Sequence, residues 1–328
     1  MPTGRLCDIA APPRLISRAR LNPRAGLIAR ARNRTAALLA MVLLTTAGCT
    51  SSPDEKPLLR AVEKPSRPAS LLKTVQDRGT VRIGVKFDVP LFGLRDPANA
   101  TLSGFDIEMS REIARRLFPG EGDPLTRIDF VEAISKNREV FLRDGTVDLV
   151  LSTYTINAAR KELVDFAGPY YIAGQDILAR RVDIESGRIR GVADVNGKRV
   201  CSVTGSTSLS NLRIAAPKAD TSVTKDKYSE CFEALRDGTV DAMSTDDVIL
   251  LGLSQGSPEF ALTGNPFHTE PYGIGIPKGG TEMREFINDS LQELFDDGTW
   301  TRVYESTIGA TGAQAPSPPL LDRYLDPP

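Results

Sequence analysis

The chain has 328 residues, of which 41 are basic and 42 acidic, with a single histidine and four cysteines. Much of the basic excess sits in the first 34 residues, so the remaining body is acidic, which argues against a nucleic-acid surface. His268 has no acid or nucleophile suggestively placed around it, so neither a zinc cluster nor a Ser-His-Asp triad is expected, and no metal or cofactor is.

In chain order, Arg residues from Arg5 to Arg34 stand against Asp8 alone, and an uncharged apolar run follows from Ala36 to Leu44. A basic region, a short apolar region and small residues before a cut mark a secretory signal. A membrane-spanning helix needs about 20 apolar residues, roughly twice this run. Thr46-Ala47-Gly48-Cys49 looks like a lipobox, departing from the usual pattern at Thr46, where Leu is commoner. Residues 1–48 are therefore expected to be a lipoprotein signal peptide, either extended or begun at a nearer start. Cys49 is then the lipidated N-terminus, placing the protein on the outer face of the cell membrane. A plain signal peptide followed by an ordinary cysteine is the alternative. Residues 49–70, with Pro53, Pro57, Pro65 and Pro68, read as a flexible tether. Residues 309–328, with Pro316, Pro318 and Pro319, read as a disordered tail. About 240 residues lie between, enough for one large or two ordinary domains.

The body holds an internal repeat. Leu142-Arg-Asp-Gly-Thr-Val-Asp148 recurs residue for residue as Leu235-Arg-Asp-Gly-Thr-Val-Asp241. Each copy places Gly where a helix ends in a left-handed turn, then opens an apolar segment of strand length. Both segments exit into a Ser-Thr pair, Ser152-Thr153 and Ser244-Thr245, and Leu294-Phe-Asp-Asp-Gly-Thr299 is a looser third helix ending. Val81–Val85 and Arg199–Val203 read as strands, and Met109, Ile113 and Leu117 recur at helical spacing. The pattern is alternating α/β. Ligands in such sheets bind beyond the carboxyl ends of the strands, where Ser152–Thr155, Thr204–Thr207 and Ser244–Asp247 cluster. Two lobes of this kind would face each other across a cleft. With Cys7 in the leader and Cys49 at the anchor, Cys201 and Cys231 remain, as a disulfide or as two buried thiols.

Gly79-Thr-Val-Arg-Ile-Gly-Val-Lys-Phe-Asp88 with Pro90 and Phe92, Gly104-Phe-Asp106, Ser152-Thr-Tyr-Thr-Ile-Asn157 with Arg160, Val164-Asp-Phe-Ala-Gly-Pro-Tyr-Tyr171, Asp241–Asp246 and Tyr272–Lys278 together resemble the extracellular amino-acid-binding proteins of ABC uptake systems. Matching stretches cover nearly all of residues 71–308. The resemblance implies two Rossmann-like lobes joined by a two-strand hinge, the type II arrangement of periplasmic binding proteins. Lobe 1 would comprise residues 71–176 plus 272–308, and lobe 2 residues 177–271. Within the family, Cys201-Ser-Val-Thr-Gly-Ser-Thr207, Cys231 with Glu233-Ala-Leu235, Lys86-Phe-Asp88 and Tyr154–Asn157 are similar to the glutamate-binding lipoproteins of Gram-positive bacteria, which supports a Cys201–Cys231 bond.

The implied partners are a small amino acid, glutamate first, and ABC permease subunits, with the protein a monomer and no nucleic acid involved. An amino-acid zwitterion needs donors for its carboxylate and an anion for its ammonium. The resemblance gives Arg160 the carboxylate, through a bidentate fork that Lys cannot reproduce. Thr155, the Ser206 and Thr207 amides at a turn before a helix, and the Ser152–Thr153 exit complete that site, and Asp246 takes the ammonium. A glutamate side chain requires a second cation; Lys86 leads, then Arg138, with Lys136 also near. Phe87 or Phe92 would pack on the ligand's aliphatic part or fill the core. Two other functions fit such a chain. One is a sensor feeding a membrane signalling protein; the other is a cleft enzyme such as a cyclohexadienyl dehydratase, with Glu132 or Glu270 as general acid.

Overall fold

The computed structural model describes residues 70–324; the leader, Cys49, the tether before Ser70 and residues 325–328 lie outside the described residues. Among the described residues no helix is long and apolar enough to cross a membrane. The strands are β1 (Val81–Val85), β2 (Asp88–Val89), β3 (Gly93–Arg95), β4 (Leu102–Ser103), β5 (Ile128–Glu132) and β6 (Leu149–Val150), then β7 (Val164–Arg180), β8 (Val200–Val203), β9 (Thr224–Lys225), β10 (Ala242–Asp246), β11 (Phe260–Leu262) and β12 (His268–Pro277). Nine of these form one sheet in the order β5-β1-β6-β12-β7-β10-β8-β9, with β11 also on β7, while β2, β3 and β4 make a small sheet of their own.

The large sheet has a regular logic. On one side β5, β1 and β6 run parallel; on the other β10, β8 and β9 do. Between the two triplets lies the antiparallel pair β7–β12. Parallel neighbours need crossover connections. Helices supply them: Phe105–Leu117 before β5, Arg138–Arg143 before β6, Thr207–Ala215 before β9 and Tyr228–Arg236 before β10. The helix Phe105–Leu117 shows why such segments dock, since Phe105, Met109, Ile113 and Leu117 all fall on one buried stripe. Two α/β halves therefore share one sheet.

The repeated heptad does the same work in each half. Gly145 and Gly238 end their helical segments in the left-handed region (φ 75° and 80°), where a Cβ is costly. The closing aspartate of each copy then grips an arginine across the sheet. Asp148 accepts the Arg82 backbone N–H at 2.8 Å and its Nη2 at 2.8 Å. Asp241 accepts the Arg199 backbone N–H at 2.9 Å and its Nη2 at 2.7 Å. Each aspartate N–H returns a bond to the same arginine's carbonyl, at 2.8 Å in both halves. The echo is thus a helix-to-strand lock built twice.

The tail expected to be loose from residue 309 is instead held to the body as far as Tyr324. Ala313, Ala315 and Leu321 pack on the main core. The Asp322 N–H donates to the Gly168 carbonyl at 2.8 Å, and the Phe166 N–H donates to the Tyr324 hydroxyl at 2.9 Å. Proline-rich composition predicts weak local structure, but it does not count contacts that the rest of the fold offers.

Cys201 and Cys231 are bonded, with Cα atoms 5.5 Å apart and a sequence separation of 30. The bond ties β8 to the helix Tyr228–Arg236 inside the main core. By the chain-entropy account a loop of that length contributes about 3–4 kcal/mol. The double variant Cys201→Ala/Cys231→Ala is expected to fold but to melt on the order of 10 °C lower. Calorimetric melting of both proteins checks this, and an unchanged Tm would show that the bond leaves stability unaffected.

Candidate ligand-binding site

The carboxyl ends of the parallel strands in both halves converge. Lys86 follows β1, Ser152 and Thr153 follow β6, Gly205 to Thr207 follow β8, and Asp246 ends β10. The first half contributes cations. Lys86 is 1% exposed, and its Nζ donates to the Ser135 hydroxyl at 2.9 Å and sits 5.5 Å from the centre of the Tyr228 ring. Among the described residues no carboxylate forms an ion pair with it. Burial, then the nearby Arg138 charge, depress its pKa to about 7.

Arg138 touches the same serine. Its Nε donates to the Ser135 carbonyl at 3.2 Å, and its Nη1 to the Ser152 and Thr153 carbonyls at 3.0 and 3.1 Å. Arg138 and Arg160 both lie over the Tyr154 ring, at 4.4 and 4.8 Å from its centre. Arg160 donates from Nε to Glu139 at 3.1 Å, from Nη1 to the Thr155 carbonyl at 2.7 Å and from Nη2 to the Gly205 carbonyl at 3.3 Å. Among the described residues these bonds use three of the five guanidinium N–H donors and leave one on each terminal nitrogen. Burial, then Arg138, lower the Arg160 pKa to about 10.

The backbone beneath the cations is strained. Thr153 has φ 43°, costly for a β-branched residue. Asp106 holds it there by accepting the Thr153 N–H at 3.0 Å while also accepting from the Tyr170 hydroxyl at 2.6 Å. Burial raises the Asp106 pKa to about 6, against the pull of the Tyr170 hydrogen bond.

The opposite wall is acidic. Asp246 accepts from the Tyr272 hydroxyl and from the Ser208 hydroxyl at 3.3 Å. Burial, then the Glu270 charge, raise its pKa to about 7. Glu270, on β12, is fully buried. It accepts from Thr207 Oγ1 at 2.7 Å and Asn211 Nδ2 at 2.8 Å, and it faces half-exposed His268 at 2.8 Å. By sequence pattern Glu270 is a candidate only for the general acid of an enzyme, yet in the fold it ties the helix Thr207–Ala215, through Thr207 and Asn211, to β12. Its signal in the sequence is phase: it shares alternation with Tyr272, Ile274 and Ile276, the apolar face of a buried strand.

Other expected residues fall differently. Phe92 is in the core, edge-on to Phe105, Tyr171 and Tyr272, and Phe87 packs under Arg95. The Ser152 hydroxyl is spent on the Ala133 carbonyl at 2.9 Å. Ser206 donates its N–H at 3.3 Å and its hydroxyl at 2.8 Å to the Val203 carbonyl, and its hydroxyl oxygen caps the helix by accepting the Leu209 N–H at 3.0 Å. Thr207 opens the helix, where first-turn N–H groups have no intrahelical acceptor; its hydroxyl also meets Thr155 Oγ1 at 3.3 Å. Lys136 is 42% exposed by side chain and pairs with Asp226 at 2.7 Å, while Glu132 pairs with Lys227. Among the described residues no cluster of metal-ligating side chains occurs.

The match to the model of bacterial extracellular solute-binding proteins, family 3, spans residues 81–310. The chain belongs to that family. It is 35% identical over 272 residues to the ABC transporter glutamine-binding protein GlnH of Bacillus subtilis, covering 83% of this chain and 94% of that protein. It is 36% identical over 281 residues to the glutamate-binding protein GluB of Corynebacterium glutamicum, covering 84% and 88%. Among solved structures, the L-cysteine receptor of Neisseria gonorrhoeae is 28% identical with a TM-score of 0.67, covering 73% of this chain and 94% of its own. The two-lobed α/β fold and a solute-binding role follow.

The halves of this family member meet through Lys136–Asp226, Lys227–Glu132, and the Ser229 N–H donating to Asp88 at 3.1 Å. Gly205 (φ 78°) lies against Lys136; a Cβ there would come 2.7 Å from the Lys136 Cα. Gly205→Ala is therefore expected to hinder this approach of the halves and weaken solute capture at least about tenfold, while the cost of a Cβ at φ 78° lowers Tm by about 2–6 °C. Calorimetry with the solute that the parent protein binds checks this; parent-like affinity would mean the Lys136 backbone yields.

Proposed function

We propose that this protein captures L-glutamate for an ABC importer, as a monomer held at the outer face of the membrane through Cys49. The observation that carries glutamate is Lys86, a buried ammonium beside Arg138 with a hydroxyl as its close partner and no ion pair among the described residues. A buried cation is costly unless an anion meets it. A glutamate side-chain carboxylate meets that need; a glutamine amide does not. In this reading the α-carboxylate lies against the free Arg160 N–H donors, Thr155 and the Thr207 amide. Asp246 takes the ammonium, with Glu270 adding negative potential behind it, and Lys86 with Arg138 takes the distal carboxylate. The names of GlnH and GluB support a ligand of this size and polarity. The lobes would be residues 71–176 with 272–308, and 177–271, with β7 and β12 as the hinge pair. No group in the cleft is given a catalytic task.

The two near-neutral groups separate the candidate ligands by pH. Asp246 must be ionised to hold an ammonium, so affinity falls as pH drops below about 7, by up to about tenfold per unit. Lys86 must be protonated to hold a carboxylate, so affinity for an acidic ligand also falls as pH rises above about 7. Calorimetry from pH 5.5 to 8.5 should give L-glutamate a bell and L-glutamine only the acid limb, with glutamate tighter at pH 7. Preference for the amide would remove Lys86 from the ligand site.

The anchor has its own test. Radiolabelled palmitate should be incorporated by the parent chain and lost in Cys49→Ala; labelling that persists in the variant would overturn the lipid assignment.

A further inference from the structure

The C-terminal segment beyond the family match at residue 310 touches the site from behind. Its side chains converge on the short helix Ala158–Lys161, which carries Arg160, and on the start of β7. Asp322 pairs with Lys161 at 2.7 Å. The Tyr324 ring lies under the Lys161 ammonium at 4.1 Å and the Arg284 guanidinium at 4.7 Å. β12 pairs with β7 from Val164 to Ala167 along one side. The Phe166 N–H and the Gly168 carbonyl find their partners in the tail, the Tyr324 hydroxyl at 2.9 Å and the Asp322 N–H at 2.8 Å.

The contact continues inward. The Phe166 ring packs on Tyr154 at 4.8 Å between centres, and Tyr154 is the ring that supports both Arg138 and Arg160. The tail therefore reaches the cations by two routes: through the backbone next to Arg160, and through Phe166 to Tyr154. A helix of four residues cannot hold its own orientation in water. Its geometry depends on what it packs against.

We infer that residues 312–324 are a strap that positions the Arg160 helix and the Tyr154 platform, with Asp322 and Tyr324 as the positioning residues. The inference rests on the reading of Arg160 as a ligand anchor, but its structural half is measured without ligand.

The test compares the parent protein, truncated only by its leader and tether, with Asp322→Ala/Tyr324→Ala and with the conservative Asp322→Glu. Hydrogen exchange followed by mass spectrometry should show amides of residues 158–168 exchanging about tenfold faster in the double variant, with those of 228–236 unchanged. L-glutamate affinity, measured well below the Tm, should weaken about five- to tenfold in the double variant, whereas Asp322→Glu should keep most of the parent affinity. Loss of a merely stabilising contact would lower the Tm yet leave the affinity of the folded protein in place. Unchanged exchange at 158–168 overturns the strap. Faster exchange with affinity within about twofold of the parent overturns its link to the site. A parent protein that binds no amino acid sinks the functional reading alone, and the exchange result then decides the strap.

Discussion

Three cations buried at one end of a sheet set the terms for everything around them. Lys86, Arg138 and Arg160 all lie in the first half, and each is almost wholly removed from water. Removing like charges from water is expensive, and the protein offsets the cost locally with the Ser135 hydroxyl and carbonyl, the Ser152, Thr153 and Thr155 carbonyls, the Tyr154 ring and Glu139. The strained Thr153 backbone follows from the same demand, because it presents its carbonyl to Arg138 while Asp106 secures its N–H.

Charge is divided between the halves. The cations belong to one, Asp246 ends a strand of the other, and Glu270 sits on a strand of the central antiparallel pair. In the proposed reading a zwitterion with an acidic side chain complements both walls at once, so it binds the closed arrangement better than any open one. A ligand shifts a conformational equilibrium only through such differential affinity. Gly205 permits the approach, because any larger residue there would meet the Lys136 backbone. The duplicated Asp148–Arg82 and Asp241–Arg199 locks brace a parallel triplet on either side, and in the proposed reading each half would close as a unit about β7 and β12.

Legibility in the sequence tracked the range of the interaction. The heptad repeat was readable because a Gly turn and the aspartates that cap it, Asp144 and Asp237, act within a few residues. Glu270's role on the acidic wall is not legible in the sequence, since its partners Thr207 and Asn211 are 63 and 59 residues away. Phe92 could be a ligand contact or a core residue by pattern alone. Only its packing among Phe105, Tyr171 and Tyr272 decides for the core.

By itself, then, the sequence determined the alternating α/β architecture, the two similar halves and Lys86 at a strand exit, while only its resemblance to a known family singled out Arg160 and Asp246. Periodicity, glycine turns and charge at strand exits are local properties that a linear chain displays openly. Tertiary structure decided which hydroxyls and amides were already committed, that Lys86 and Arg138 share Ser135, and that a proline-rich tail is held down by Asp322 and Tyr324. Those outcomes depend on burial and on partners far apart in the chain, and neither exists until the fold brings them together.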